Sequence, residues 1–210
     1  MRIESVNVGR RKTVSHGSSS METGICKYPV EGPVRVTRDG LEGDAIVATE
    51  HHGGVDQAVY AYSGEDYEWW RRTSDHEFFA GLFGENLTVS DMPSDMRIGD
   101  RLLIGEVVLE ATAPRIPCST LATRMKDTGF GTAFRRAERP GIYFRVLNEG
   151  EVESGDEVSF VETRESDVTV LELFRFSYAL RYDPDDLRRY LDAPIAERFR
   201  ASIEGKLAAQ

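Results

Sequence analysis

Hydrophobic and polar residues alternate in many short runs through the first 160 residues, with the period of two that is typical of strands with one buried face. This pattern predicts strands at 3–8, 33–37, 56–62 and 156–161, and hairpins at 102–109 and 142–152. Short helices are predicted at 64–73, 119–126 and 131–137. Many short strands joined by glycine-rich turns indicate a mainly β, barrel-like or sandwich domain with short helices, and they disfavour alternating βαβ units.

The pattern changes to helical spacing after residue 163. A first helical stripe contains Val170, Leu171, Phe174 and Tyr178. A second helix is predicted to begin at Asp183-Pro184, with aspartate as the N-cap and proline at the first helical position. The third has an apolar residue every four positions: Ile195, Phe199, Ile203 and Leu207. We therefore predict two domains, a mainly β domain over 1–163 and a small three-helix bundle over 164–210.

The composition is that of a folded, acidic protein. Of 210 residues, 40% are hydrophobic and 30% are charged, which excludes a largely disordered chain. Asp and Glu (36) outnumber Lys and Arg (26), and the net charge of −10 disfavours binding to nucleic acid polymers or anionic membranes. No apolar stretch approaches the ~20 residues that cross a bilayer, and the N-terminus lacks an apolar signal core. We expect a soluble, cytoplasmic protein.

One segment reverses this charge. Residues 115–145 contain seven basic and two acidic side chains, a net charge of +5, and they include Cys118. Such a segment either attracts anions and stabilises a thiolate, or is a solvated basic helix. The second cysteine, Cys26, has one neighbouring cation. Two cysteines are no disulfide framework, but a Cys26–Cys118 bridge stays open alongside two thiols.

The run Pro114-Arg115-Ile116-Pro117-Cys118 carries the most suggestive chemistry. It places a cysteine at the end of a strand and directly before a predicted helix. The positive end of the helix dipole and the Arg115 cation both favour a thiolate, which is a nucleophile or a ligand for a soft metal. The alternative is a cysteine buried as a small hydrophobic residue.

Three further runs contain polar residues suited to a ligand. Adjacent His51 and His52 point to opposite faces of a strand, so a zinc site is disfavoured, and Asp56 follows them. The glycine-punctuated loop 81–88 carries Asn86 and Thr88 on one face. Arg145 lies inside an apolar strand and needs an anionic partner, either a core carboxylate or a ligand.

Nine segments in order resemble one known family. They are TGICKYPV (23–30), GPV (32–34), GLEGD (40–44), HHGGVDQAVY (51–60), FGENLT (83–88), IGD (98–100), PRIPC (114–118), YFRVL (143–147) and GD (155–156). The chain thereby resembles the MOSC family, the molybdenum cofactor sulfurase C-terminal domain. The most similar branch is the small bacterial proteins linked to resistance to 6-N-hydroxylaminopurine, which carry a C-terminal three-α domain. The resemblance implies a β-barrel-like fold.

The resemblance also implies a molybdopterin-type molybdenum cofactor, with Cys118 as the thiolate ligand to the metal. Arg115 and Arg145 are then candidate partners for the cofactor phosphate. Thr23, Lys27, Asn86 and Thr88 are further candidate cofactor-binding residues, and His51, His52 and Asp56 are candidate proton donors. Pyridoxal phosphate is not expected, because in this family it belongs to a separate fused domain.

The implied reaction is the two-electron reduction of small N-hydroxylated bases or related compounds to amines. The chain has no cysteine cluster, flavin fingerprint or nicotinamide fingerprint, so the electrons would come from a separate reductase. Where this branch often has a Gln-x-Asp segment after Gly-Asp, Asp44 is followed by AIVATE. Three other hypotheses remain: a sulfur or cofactor carrier that uses Cys118 without turnover, a metal-free cysteine enzyme with His51 or His52 as base, and an adaptor without chemistry.

Overall fold

The computed structural model describes residues 1–16, 19–45, 47 and 53–209, and its main element is an eight-stranded sheet. Across this sheet the strands lie in the order β13 (Ser159–Val161), β9 (Arg101–Ile104), β10 (Val107–Pro114), β11 (Ile142–Asn148), β7 (Val59–Ser63), β8 (Leu87–Val89), β1 (Ile3–Gly9) and β4 (Lys27–Pro29). Neighbouring strands are antiparallel except β7 and β8, which are parallel. The predicted mainly β architecture is therefore confirmed.

Two smaller sheets flank the large one in the part of the chain that the structure describes. One contains β12 (Gly150–Val152), β5 (Val34–Thr37) and β6 (Gly40–Leu41), and the other is a hairpin of β2 (Lys12–His16) and β3 (Ser19–Thr23). The sequence pattern did not predict this hairpin, because its strands are rich in Ser and Thr and are mostly exposed where their side chains are described.

The large sheet curves towards closure without forming a continuous barrel in the described part of the chain. The start of β1 bonds to the segment that leads into β13: Ile3 N–H donates to the Asp156 carbonyl (3.0 Å), and Gly155 N–H donates to the Ile3 carbonyl (2.8 Å). Arg2 and Glu157 form an isolated bridge beside them. These contacts link the start of β1, the strand beside the edge strand β4, to the segment before the opposite edge strand β13 by a few bonds rather than a full ladder.

Within the described residues, six α-helices complete the fold: α1 (Gly64–Thr73), α2 (Ser119–Met125), α3 (Phe130–Ala137), α4 (Val170–Phe176), α5 (Pro184–Asp192) and α6 (Glu197–Ala208). The predicted start of the second C-terminal helix is confirmed, since Asp183 accepts a hydrogen bond from Asp185 N–H (2.9 Å) and Pro184 is the first helical residue. None of the helices in the described ranges is both long and apolar enough to cross a bilayer.

Where burial is described, the buried apolar residues form two clusters. One fills the interior of the sheet and extends to α4–α6 through Leu173, Leu187 and Ile203. The other is rich in aromatic residues and joins α1–α3 to the outside of β7, with Trp70 and Phe83 at its centre. The three C-terminal helices thus pack against the β domain. The division of the chain into two domains at residue 163 stays a prediction.

Two predicted elements were wrong in detail. The strand expected over 56–62 begins only at Val59, because Asp56 and Gln57 belong to a 3₁₀ turn (Val55–Gln57) that follows two glycines with positive φ. Residues 142–152 are not a hairpin, because β11 pairs with β10 and β7 whereas β12 pairs with β5. In both cases the strand boundaries and partners depend on pairing with residues far away in the chain, and a local sequence pattern does not contain that information.

Candidate functional site

A cavity of about 250 Å³ lies where the end of β10, the start of α2 and three loops meet. Its wall contains residues from six parts of the chain: Glu22, Thr23, Gly24, Ile25, Lys27, Asp44, Ala45, Val47, Gly53, Gln57, Ala58, Tyr60, Phe83, Gly84, Asn86, Arg115, Cys118, Thr120 and Tyr143. Gly84 is needed in this wall because it has φ +83° and a Cβ there would lie 2.8 Å from Cγ1 of Ile25. We call this space the site cavity.

Cys118 lies at the N-cap of α2 and its side chain is half-buried in the wall of the site cavity. Its backbone is extended (φ −115°, ψ 170°), and its carbonyl accepts the first hydrogen bond of the helix from Leu121 N–H (3.1 Å). The predicted position, at a strand end and before a helix, is confirmed. A thiol in this position faces the positive end of the helix dipole, which favours the thiolate.

Arg115 is buried (4% exposed) in the same wall and is incompletely hydrogen-bonded. Its Nη1 has no hydrogen-bond partner among the described residues, and its guanidinium lies 6.0 Å from the Tyr60 ring and 5.6 Å from the Phe134 ring. Burial acts to lower the pKa of Arg115, but Tyr60, Tyr143 and Cys118 raise it, and the net pKa lies above the ordinary value. A buried cationic donor without a partner is costly, so this atom is suited to an anionic ligand.

Lys27, Asp44 and Asn86 form one buried polar cluster in the cavity wall. Asp44 accepts from Lys27 Nζ, from Asn86 Nδ2 (2.9 Å) and from Gly9 N–H (2.8 Å). Burial lowers the pKa of Lys27, and the ion pair with Asp44 opposes this shift. The sequence analysis selected Lys27 and Asn86, and the structure brings them together. The sequence analysis did not select Asp44, although the Asp44 carboxylate accepts hydrogen bonds from both Lys27 and Asn86.

Thr23 and Thr88 have different positions. Thr23 lies in the site cavity wall, where its hydroxyl accepts a hydrogen bond from Ile25 N–H (3.1 Å). Thr88 is not part of that wall; its hydroxyl donates to Glu85 (3.1 Å) and accepts from Asn7 Nδ2 (3.3 Å). A role of Thr88 in cofactor binding stays a prediction, and the geometry gives it a structural task instead.

Arg145 and Asp56 lie outside the site cavity and bind each other. Arg145 Nη2 is 3.0 Å from Oδ1 of Asp56, and Arg145 Nη1 is 3.4 Å from Oε1 of Glu110. The other oxygen of Asp56 accepts from Glu197 N–H (2.8 Å) at the start of α6. The sequence analysis considered a core carboxylate or a ligand as the partner of Arg145. The structure shows that Arg145 pairs with carboxylates. Its cofactor role, and the proton-donor role of Asp56, stay predictions.

His51 and His52 lie outside the described residues. Their neighbours Gly53 and Gln57 are in the cavity wall. The basic segment 115–145 does not form one patch: Arg115 is in the wall, Arg139 pairs with Asp66, and Arg135 stacks on Tyr178 at 4.3 Å. The net charge of +5 was therefore a weaker indicator of the site than the Pro-Arg-x-Pro-Cys run within it.

Sequence reasoning missed the aromatic residues of the wall and one buried carboxyl beside it. Tyr60 and Tyr143 pair across β7 and β11 with ring centroids 5.0 Å apart, and a sequence does not show which strands are neighbours. Glu85 is fully buried; one oxygen accepts from Tyr67 (2.8 Å), whereas Oε2 has no hydrogen-bond partner among the described residues. The only hint of Glu85 in the sequence was its position beside Asn86 in the Gly-Glu-Asn run, since Asn86 was already a candidate site residue.

We expect Glu85→Gln to stabilise the protein increasingly as pH rises above about 4.5, the ordinary pKa of the group. Burial raises the pKa of Glu85, so the native state binds the proton more tightly than the unfolded state, and wild-type stability falls as pH rises through this window. Glutamine keeps an acceptor for Tyr67 and cannot ionise. Urea unfolding from pH 4.5 to 8 measures the difference, with exposed Glu77→Gln as the control. Parallel curves for wild type and Glu85→Gln would contradict it.

Comparisons with known proteins agree with the mainly β fold and identify the family. The family model for the MOSC domain matches residues 48–159. YflK of Bacillus subtilis is 32% identical over 204 residues, covering 96% of this chain and 92% of that protein. A solved structure, YiiM from Geobacillus stearothermophilus, superposes with a TM-score of 0.80 at 28% identity and covers 98% of both chains.

A third relative is a protein of Gibberella moniliformis named "Reductase". It is 31% identical over 199 residues, which are 92% of this chain but only 35% of that protein. Most of that relative therefore lies outside the region shared with this chain. The full-length match to YiiM includes the C-terminal helices and agrees with the bacterial branch that the sequence indicated. The chain belongs to the MOSC domain family, which is associated with the molybdenum cofactor.

Proposed function

We propose that this chain binds a molybdopterin-type molybdenum cofactor in the site cavity and reduces small N-hydroxylated compounds to amines. The observation that carries the proposal is the presence, in one cavity wall, of a cysteine at a helix N-terminus and a buried arginine whose Nη1 finds no hydrogen-bond partner in the described part of the chain. A thiolate is a preferred ligand of soft metals, and a guanidinium binds phosphate.

The residues of the cavity fit such a cofactor. Cys118 would supply a thiolate to the metal, and Arg115 would donate to the phosphate through Nη1, which has no hydrogen-bond partner among the residues that the structure describes. Lys27 and Asn86 line the same wall and would bind further polar groups of the cofactor, and Thr23 lies beside them. When bound, the cofactor supplies two-electron redox chemistry.

The chain's own groups would orient the substrate, exclude water and hold a proton. The reaction R–NH–OH + 2e⁻ + 2H⁺ → R–NH₂ + H₂O requires protons where the N–O bond breaks. Lys27 Nζ holds a proton inside the wall, and the lowering of its pKa by burial makes that proton easier to give up. Tyr60 and Phe83 are buried and form apolar parts of the wall.

The electrons would come from an external reductase. The matching region of the Gibberella protein named "Reductase" is only 35% of that protein, which leaves room there for other units. By analogy, we propose a separate electron-donating partner for this chain. The net charge of −10 remains the argument against nucleic acid polymers and anionic membranes as partners.

The proposal is tested by turnover with a chemical electron donor. Protein purified from a host that makes the cofactor is given a reduced viologen dye and 6-N-hydroxylaminopurine, and the amine product is quantified by chromatography. We expect product in proportion to molybdenum content, and none from protein grown with tungstate. Molybdenum-loaded protein without product would favour the carrier hypothesis, and equal activity after tungstate growth would favour a metal-free cysteine enzyme.

Arg115→Met should release the cofactor without unfolding the chain. A hydrogen bond to a charged group contributes about 1.5–3 kcal/mol, so cofactor affinity should fall roughly 10- to 150-fold. Methionine fills the buried position and removes a charged group whose Nη1 lacks a partner within the described ranges, so the apo-protein should not lose stability. Pterin fluorescence and molybdenum content after gel filtration measure retention. Exposed Arg136→Met, from the same basic segment, is the control; equal losses in both variants would contradict the assignment.

A further inference from the structure

A second cavity, of about 280 Å³, adjoins the site cavity. Gln57 and Tyr143 line both, so these two side chains form the boundary between them. The opposite wall is formed by α6 and the end of α4, and Pro114 and Ile116 contribute from the loop that carries Cys118. A molecule bound here would therefore contact the C-terminal helices on one side and this boundary with the site cavity on the other. We call this space the outer cavity.

The walls of the outer cavity are suited to a planar ring. Tyr143, Phe176 and Phe199 line it from three different elements: β11, α4 and α6. Phe176 is buried, whereas Tyr143 and Phe199 are only partly buried, so part of their surface is open to a ligand. Aromatic side chains around a concave space bind flat, weakly polar molecules by stacking and edge contacts.

The charged residues of the outer cavity favour an anionic ligand. Arg198 and Lys206 line it, and none of the described residues in its wall is Asp or Glu, although the whole chain has a net charge of −10. Arg198 Nη1 donates to Oε1 of Gln57 (3.3 Å), so one cation is positioned at the boundary with the site cavity. Lys206 Nζ lies over the rings of Tyr182 (4.7 Å) and Phe176 (5.8 Å). Two cations beside aromatic walls favour an aromatic ligand with an anionic group.

We propose that the outer cavity binds the non-reacting part of the substrate, and that the preferred substrate is an N-hydroxylated nucleotide rather than the uncharged base. The base would stack between Tyr143 and Phe199 with its N-hydroxyl group directed to the site cavity, and the phosphate would contact Arg198 and Lys206. This inference rests on the proposed function for the reaction, but its binding step requires neither the metal nor turnover.

Binding of adenosine monophosphate, which carries the amine that such a reduction would yield, tests the inference. Titration calorimetry on the full-length protein, as purified from a cofactor-making host, compares adenosine monophosphate with adenosine. We expect the nucleotide to bind at least 10-fold more tightly. Ser202→Trp, which places a large ring in the exposed part of the wall, and Lys206→Gln should each weaken nucleotide binding at least 10-fold. Arg188→Gln, an exposed change on α5, is the matched control.

Three results would overturn the inference: no nucleotide binding at millimolar concentration, equal affinity for adenosine, or affinity unchanged by both outer-cavity variants. Loss of nucleotide binding in Arg115→Met but not in Ser202→Trp would place the phosphate in the site cavity and would also overturn it. Failure of the proposed function is distinguishable, because molybdenum content and reduction of the free base are measured without the nucleotide.

Discussion

Replacement of Cys118 by serine should leave the fold intact and reduce molybdenum retention at least about 100-fold, since even changes to groups that only support a metal ligand lower affinity 10- to 100-fold. The side chain is half-buried and lies at an N-cap, where serine is a favoured residue, so thermal stability of the apo-protein should not fall. Without the thiolate, reduction of N-hydroxylated compounds should stop.

Cys26→Ala is the matched control for this change. Cys26 is buried and outside the wall of the site cavity, so its loss should leave the molybdenum content at the wild-type level. Molybdenum per chain, measured by mass spectrometry after gel filtration, separates the two variants. Full metal content in Cys118→Ser would exclude this thiol as the ligand, and equal loss in both variants would point to a general effect on folding.

Replacement of Asp44 by alanine should destabilise the protein by about 3–5 kcal/mol, the usual effect of removing one partner of a buried ion pair. The side chains of Lys27 and Asp44 are 10% and 4% exposed, and alanine would leave the lysine charge and the N–H groups of Gly9 and Asn86 without their acceptor. Urea unfolding at pH 7 measures the loss. Glu42→Ala is the control. Glu42 is exposed, and its pair with Arg35 is a surface pair at the long distance of 4.0 Å, so its loss should change stability little.

The destabilisation should decrease as pH rises. Burial lowers the pKa of Lys27 below its ordinary value of 10.5, so the unfolded state binds more protons than the native state between the two values. Stability therefore rises with pH in that window, and the rise should be steeper once Asp44 no longer opposes the shift. The double variant Lys27→Met/Asp44→Ala should recover much of the loss and remove this extra slope. A loss that is independent of pH in Asp44→Ala would contradict the buried-pair interpretation.

The sequence contained the local part of the fold. Helix α1 could be predicted because Ser63 caps it, Glu65 and Asp66 lie in its first turn, and its boundaries follow from residues within one turn of each end. The same is true of α5, where Asp183 and Pro184 specify the start. The pairing of β12 with β5 and the parallel pairing of β7 with β8 depend on residues far apart in the chain, and alternation within one strand does not encode them.

The candidate site was predictable to the extent that single residues carry chemistry. Cys118, Arg115, Lys27, Asn86 and Thr23 all line the cavity, since a thiol, cations and polar donors are recognisable without a structure. Arg145 and Asp56 were selected for the same reason, but they neutralise each other outside it. Chemistry in a sequence identifies groups that need partners, and only the fold decides whether the partner is a ligand or another side chain.

The most direct test of the central claim is the molybdenum and pterin content of the wild-type protein, made in a host that synthesises the cofactor and measured after extensive gel filtration. We predict close to one molybdenum and one pterin per chain. Folded protein that contains neither, and that still takes up neither after incubation with isolated cofactor, would contradict the claim that the cavity around Cys118 and Arg115 is a molybdenum cofactor site.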